Sequence, residues 1–151
     1  SIRAERSKIQ MRRILEQLYR EKPSEKEADY DLLMRLVRKM LQGRSLILLY
    51  TNFESEYSLQ RIIPYLRRLN KQHLLVVIFF EDAEIDEFKS KDESRIDKIY
   101  QQILAGDYLT RKRKMKMQLQ KLGIQTILTT PEKLSINTLN KYLELKARGL
   151  I

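Results

Sequence analysis

The chain contains no cysteine. That excludes a disulfide framework, thiolate metal sites and a cysteine nucleophile. Its one histidine is His73, so a multi-histidine zinc centre cannot be assembled within it. Glycine occurs four times and proline three times. No GxGxxG, GxxxxGK(S/T) or GxSxG pattern is present, and glycine-rich turns of this kind are what let backbone N–H groups approach a phosphate. The longest apolar run, Leu74 to Phe80, is far short of the ~20 residues of a membrane-crossing helix. The first residues show no signal-peptide pattern. What is present is a chain of 151 residues, 42% hydrophobic and 33% charged. This is too apolar for disorder and of a length that normally forms one core. The chain opens Ser1-Ile2-Arg3 without an initiating Met and is expected to be a piece of a longer protein.

The formal net charge is +10, unevenly spread. Residues 1–44 and 93–151 are basic, whereas residues 45–92 carry more acid than base. The densest basic run is Arg111-Lys112-Arg113-Lys114, with Lys116 beyond it. Inside a helical pattern such a run is a solvated face or a patch for nucleic acid, anionic lipid or an acidic partner.

Hydrophobic periodicity sets out the elements. Met11, Ile14, Leu15, Leu18 and Tyr19 predict a helix with one buried stripe. Pro23 interrupts it. Ser24 and Glu27 have capping-box spacing, and Tyr30, Leu33, Val37 and Leu41, widened by Leu32, Leu36 and Met40, predict a second helix ending at Gly43. The period then changes. Leu46 to Tyr50 is a short continuous apolar run, as expected for a strand buried on both faces. Ser58 to Asn70 reads as a helix, with Pro64 a kink or its true first turn. Leu74 to Phe80 is the clearest strand. A long helical stretch follows an acidic loop, with Gly106-Asp107 expected to break or bend it and Gly123 to end it. Ile124 to Thr129 is the third strand, and Thr130-Pro131-Glu132 opens a last helix that ends near Lys146.

Strands separated by helices pair in parallel through right-handed crossovers. The expected fold is α/β and three-layered: a parallel sheet with helices on both faces, Rossmann-like, and small at three strands. Ligands of such sheets bind beyond the carboxyl ends of the strands. Those ends are Thr51 to Glu54, Glu81 to Glu84 and Thr129 to Pro131, and none holds glycine. Glu54, Glu56, Asp82 and Glu84 make this rim anion-averse and suited to a hard cation or a basic partner surface. Asp82 with Asp86 and Glu87 is a candidate paired-carboxylate site or a solvated loop. His73 reads as a strand-edge residue with a local hydrogen bond.

Five segments carry a resemblance. Arg44 to Phe53 is similar to the RSLVVLFTDF segment of bacterial proteins in domain-of-unknown-function family fifty-eight. Leu66 to Leu74 resembles that family's LRRLARRHL, Leu122-Gly123-Ile124 its glycine before a strand, and Asn140 to Gly149 its NRYLELKARG ending. Glu27 to Tyr30 is similar to the segment opening the helix before the first strand. These are von Willebrand A-like proteins encoded beside MoxR-type AAA+ ATPases. The resemblance implies that residues 23–151 are the C-terminal half of a von Willebrand A-like domain, truncated, with residues 1–22 a helix serving as linker or swapped element. It further implies the soluble cytoplasmic portion of a membrane-anchored bacterial protein. The family's adhesion-site metal uses a DxSxS motif, which is missing here, and an Asp where this chain has Asn52. Thr51 and Asn52 are therefore either remnants of a metal site, as the resemblance implies, or a strand end that caps the next helix. No cofactor is expected in this chain, with Mg²⁺ reserved for the intact parent domain.

The expected function is a non-enzymatic protein-interaction module working with a MoxR-type ATPase or its clients. Glu54, Glu56, Asp82, Glu84, Arg111, Lys112, Arg113 and Lys114 are the candidate partner-binding residues. Leu46, Ile47, Leu48, Leu49, Tyr50 and Thr51 form a flat apolar edge left open by the missing strand, expected to pair with a second copy or to be covered by the N-terminal helix. Nucleic-acid or anionic-surface binding around Arg111 to Lys116 is the alternative, although the run lacks interleaved aromatics. A metal-dependent hydrolase using Asp82 is the third reading.

Overall fold

The computed structural model describes residues 8–20, 28–81 and 95–151. They fall into two compact units, residues 1–42 and 43–151.

The first unit contains α1 (Lys8–Arg20) and α2 (Tyr30–Met40). The Ser24–Glu27 capping box lies outside the described residues. The start of α2 is instead capped by Asp29, whose Oδ1 accepts from the Leu32 N–H at 2.8 Å. This satisfies one of the donors that a helix start leaves open. The buried stripe is narrower than the periodicity predicts. Met34 is buried, whereas Leu32, Leu36, Met40 and Tyr19 are exposed, Tyr19 to 92%.

The second unit runs β1 (Leu46–Tyr50), α3 (Glu56–Gln72), β2 (Leu74–Phe80), α4 (Arg95–Lys121), β3 (Gln125–Thr129), a 3₁₀ turn (Pro131–Lys133) and α5 (Leu134–Ala147). The three strands form one parallel sheet in the order β1-β2-β3. Leu46 pairs with Leu74 and Tyr50 with Ile78 across the first ladder; Val76 pairs with Gln125 and Phe80 with Thr129 across the second.

Side-chain alternation along the strands divides the core in two. Leu74, Val76 and Ile78 face α5, joined by Ile127 and Leu145, with Leu46, Leu48, Leu134 and Leu150 against them. The other face of the sheet is covered by α3, which packs on β2, and α4, which packs on β3; they contribute Leu59, Ile62, Leu66, Leu69, Met115 and Leu119. The central strand is buried on both sides, which is why it reads as an unbroken apolar run.

Pro64 is not the first turn of its helix, and Gly106 does not break the next one. α3 continues through Pro64 and α4 through Gly106. Pro64 lies on the exposed side of α3, where the carbonyl it leaves unbonded one turn earlier meets water. The expected stop at Gly123 is real, and Gly149 closes α5 in the same way. Each glycine has a left-handed φ, +74° and +65°. Ile124 N–H donates to Leu119 O and Gly123 N–H to Gln120 O; Leu150 and Gly149 repeat this pattern with Leu145 and Lys146. Both are Schellman closures, in which a residue without Cβ takes the positive φ at no steric cost. At the end of α5, Lys141 and Arg148 bracket Glu144. Their hydrogen bonds and charge, Lys141 foremost, hold its carboxyl below the usual range.

Candidate functional site

The parallel sheet brings the ends of β1 and β3 to one rim. Thr51 extends the first ladder, its N–H donating to Ile78 O at 3.0 Å. Phe53 then turns inward. It is 2% exposed, and its ring meets that of Phe79 edge-on, with centroids 5.3 Å apart and planes at 61°. This aromatic contact draws the loop over the end of the sheet. Ser55 caps α3 by accepting from the Ser58 N–H at 3.1 Å, so the loop is fixed at its far end as well.

Lys112 of α4 enters this loop from the side. Its residue is 1% exposed. Nζ donates to Asn52 Oδ1 at 2.7 Å and to Phe53 O at 2.6 Å, and lies 5.0 Å from the centroid of the Tyr108 ring. The ammonium thereby exchanges water for two oxygens and the face of an aromatic ring, the compensation a buried cation requires.

This placement corrects the sequence expectation for Lys112, which is not part of an exposed patch. Arg111, Arg113 and Lys114 are exposed. The distinction follows from helix geometry: Tyr108, Lys112, Met115 and Leu119 recur at intervals of four, three and four, the spacing of one helix face. Three of the four are core-type residues. Treating the four-residue basic run as a unit hides the fact that its second member lies on the buried stripe.

The third strand closes its end with its own side chains. Thr129 is buried; its Oγ1 accepts from Asn137 Nδ2 at 2.8 Å and donates to Thr130 O at 3.2 Å. Of the predicted acidic rim, Glu54 is exposed, and Glu56 and Glu81 are half-buried. Asp82 and Glu84 lie outside the described residues, as do Asp86 and Glu87. His73 is at the opposite end of the sheet, where it closes α3 by donating its N–H to Leu69 O at 2.8 Å. It takes no part in the rim.

Thr51 and Asn52 do not fit a divalent metal. The oxygen that Asn52 would offer already receives the Lys112 ammonium, and a fixed positive charge at that distance repels a dication. Among the described residues no three His, Cys, Asp or Glu side chains group as metal ligands.

The sheet has two edges, β1 and β3, and the β1 edge is a second candidate site. Among the described residues β1 has β2 on one side and no strand on the other. Thr51 N–H donates to Ile78 O and Leu74 N–H to Ser45 O. In a parallel ladder this phase directs the backbone groups of Ser45, Ile47, Leu49 and Thr51 toward β2, and those of Leu46, Leu48 and Tyr50 away from it. Leu46 to Leu49 are half-buried and Tyr50 is 51% exposed. The strand carries no charge, proline or bulge, the devices that normally protect an edge. Nearby, α5 leaves Ile136, Leu139 and Leu143 more than half exposed, on the flank opposite the Asn137 that anchors it to β3.

No helix among the described residues is long and apolar enough to cross a membrane. Comparison of the chain with family models, curated proteins and solved structures returns no match.

Proposed function

We propose that the chain is a non-enzymatic protein-interaction module that works by accepting a further strand at β1. The observation carrying this reading is the unprotected β1 edge, with three residues turning hydrogen-bonding groups outward beside half-covered apolar side chains. The resemblance of residues 44–53, 66–74 and 140–149 to von Willebrand A-like proteins supports a C-terminal half-domain whose earlier strands would occupy that edge. On this reading the chain belongs to the soluble cytoplasmic portion of a membrane-anchored bacterial protein that acts with a MoxR-type ATPase. The Lys112 tie gives the half-domain a rim organised by an internal cation, with Mg²⁺ chemistry left to an intact parent.

The partner strand available to the isolated chain is that of a second copy. A two-fold antiparallel pairing centred on Leu48 sets Leu46 opposite Tyr50 and brings no charges together. The three outward residues of each copy then form about six hydrogen bonds, each of roughly 1 kcal/mol net. Tyr50→Pro removes an outward N–H while leaving the β1–β2 ladder intact, as proline is tolerated on the open side of an edge strand. Sedimentation is expected to give a dimer for the parent chain and a monomer for Tyr50→Pro with unchanged circular dichroism. A parent chain that remains monomeric with its edge solvated overturns the pairing.

A further inference from the structure

The layer that α3 and α4 form on one face of the sheet has an unusual composition. From Tyr57 to Gln72 of α3 and from Tyr108 to Lys121 of α4 there are ten Lys and Arg residues and no Asp or Glu. Only Lys112 is drawn inside. The two helices pack side by side, with Gln60 Nε2 donating to Gln118 Oε1 at 3.4 Å. Each buries one stripe against the sheet, and its cations lie on the other side. Arg67, Arg68 and Lys71 of α3 and Arg113, Lys114 and Lys121 of α4 are all exposed. A recess of about 490 Å³ lies along Pro64, Arg67, Arg68 and Lys71. α5, on the opposite face, mixes its charges: Glu144 pairs with both Lys141 and Arg148.

We infer that the α3–α4 layer is a docking face for an anionic lipid surface. The cations occupy the backs of two helices held side by side over a sheet, a broad array suited to a broad negative surface. Lys and Arg near such a surface contribute additively and are screened by salt. Met117 is exposed among them and supplies an apolar contact at the headgroup boundary. Duplex DNA fits less well. A helix that reads the major groove must enter it, and here each of the two helices has the other as a close neighbour. Single strands are bound through successive stacking aromatics; here Tyr57 is exposed at the start of α3, but no aromatic stands between Arg67 and Lys71 or between Arg113 and Lys121.

The test is co-sedimentation with vesicles of phosphatidylcholine containing about one-fifth phosphatidylserine, at about 0.1 M salt, alongside pure phosphatidylcholine vesicles and a labelled DNA duplex at equal phosphate concentration. Binding to the mixed vesicles alone is expected, with loss at about 0.5 M salt. Arg68→Glu with Lys114→Glu is expected to weaken it at least about tenfold. Lys133→Glu with Lys146→Glu changes the net charge equally on the opposite side and should leave binding within about twofold. The milder pair Arg67→Gln with Lys121→Gln, which should give an intermediate loss, keeps the comparison interpretable if the charge reversals disturb folding. Equal loss from the Lys133–Lys146 pair, equal binding to uncharged vesicles, tighter retention on the duplex, or no vesicle binding would each overturn the assignment.

Discussion

Lys112 joins two segments that the chain order separates by some sixty residues. Without its ammonium, Asn52 Oδ1 and Phe53 O lose charged donors at 2.7 and 2.6 Å, and the Phe53 carbonyl is left in a buried setting. Lys112→Met keeps the length and apolar stem of the side chain, so its effect isolates the head group. It is expected to cost about 2 kcal/mol, from the penalty for leaving buried acceptors unsatisfied, read as a lower denaturant midpoint. Asn52→Asp should act in the opposite direction by placing a carboxylate opposite the ammonium. Because Asn52 is exposed, solvent screening limits the gain to about 0.5–1 kcal/mol. Destabilisation by Asn52→Asp would show that the loop does not hold the ammonium as described. The role of Lys112 was obscured in the sequence by its three basic neighbours, and the stripe through Tyr108, Met115 and Leu119 was the signal that could have revealed it.

At the scale of elements, glycine carries two opposite meanings. Gly106 lies within α4 with open space where a Cβ would stand. Gly106→Ala should therefore raise stability by about 0.5–1 kcal/mol through helix propensity and reduced unfolded-state entropy. Gly123 has equal room, but its φ of +74° penalises any side chain. Gly123→Ala should lower stability by about 1 kcal/mol. Paired thermal melts that fail to move in opposite directions would contradict the assigned backbone geometry. The same contrast explains what was legible. β1 and β2 are recognisable to the residue because each is an unbroken apolar run between polar turns, but only β2 is buried on both faces; β1, expected to be so too, is half-buried with Tyr50 exposed. Neither Gly106 nor Pro64 ends its helix, because local breakers weaken a helix without deciding it. The apolar stripes of α3 and α4, packed against the sheet, outweigh the local cost. Of the acidic residues that follow β2, Glu81 is described, whereas Asp82, Glu84, Asp86 and Glu87 fall outside the described segments, so that part of the rim rests on sequence alone.

For the whole molecule, the informative feature is imbalance. β2 is enclosed on every side, whereas β1 is half-covered and unpaired outward among the described residues. If a second copy completes that edge, stability depends on protein concentration, since association draws on the folded form alone. A tenfold increase in concentration should then raise the melting temperature of the parent chain by about 2 °C, with no change for Tyr50→Pro. An invariant midpoint for both proteins would leave the edge without a partner in solution.

The layered arrangement also sets a direction. The α3–α4 layer lies flat against the sheet, so a surface touching those helices runs parallel to the plane in which β1 can be extended. Adsorption would leave that edge accessible from the side and confine neighbouring molecules to two dimensions, where their effective concentration rises without any new contact. The strand pairing that joins two copies in solution would then be reinforced as lateral zippering across a charged film.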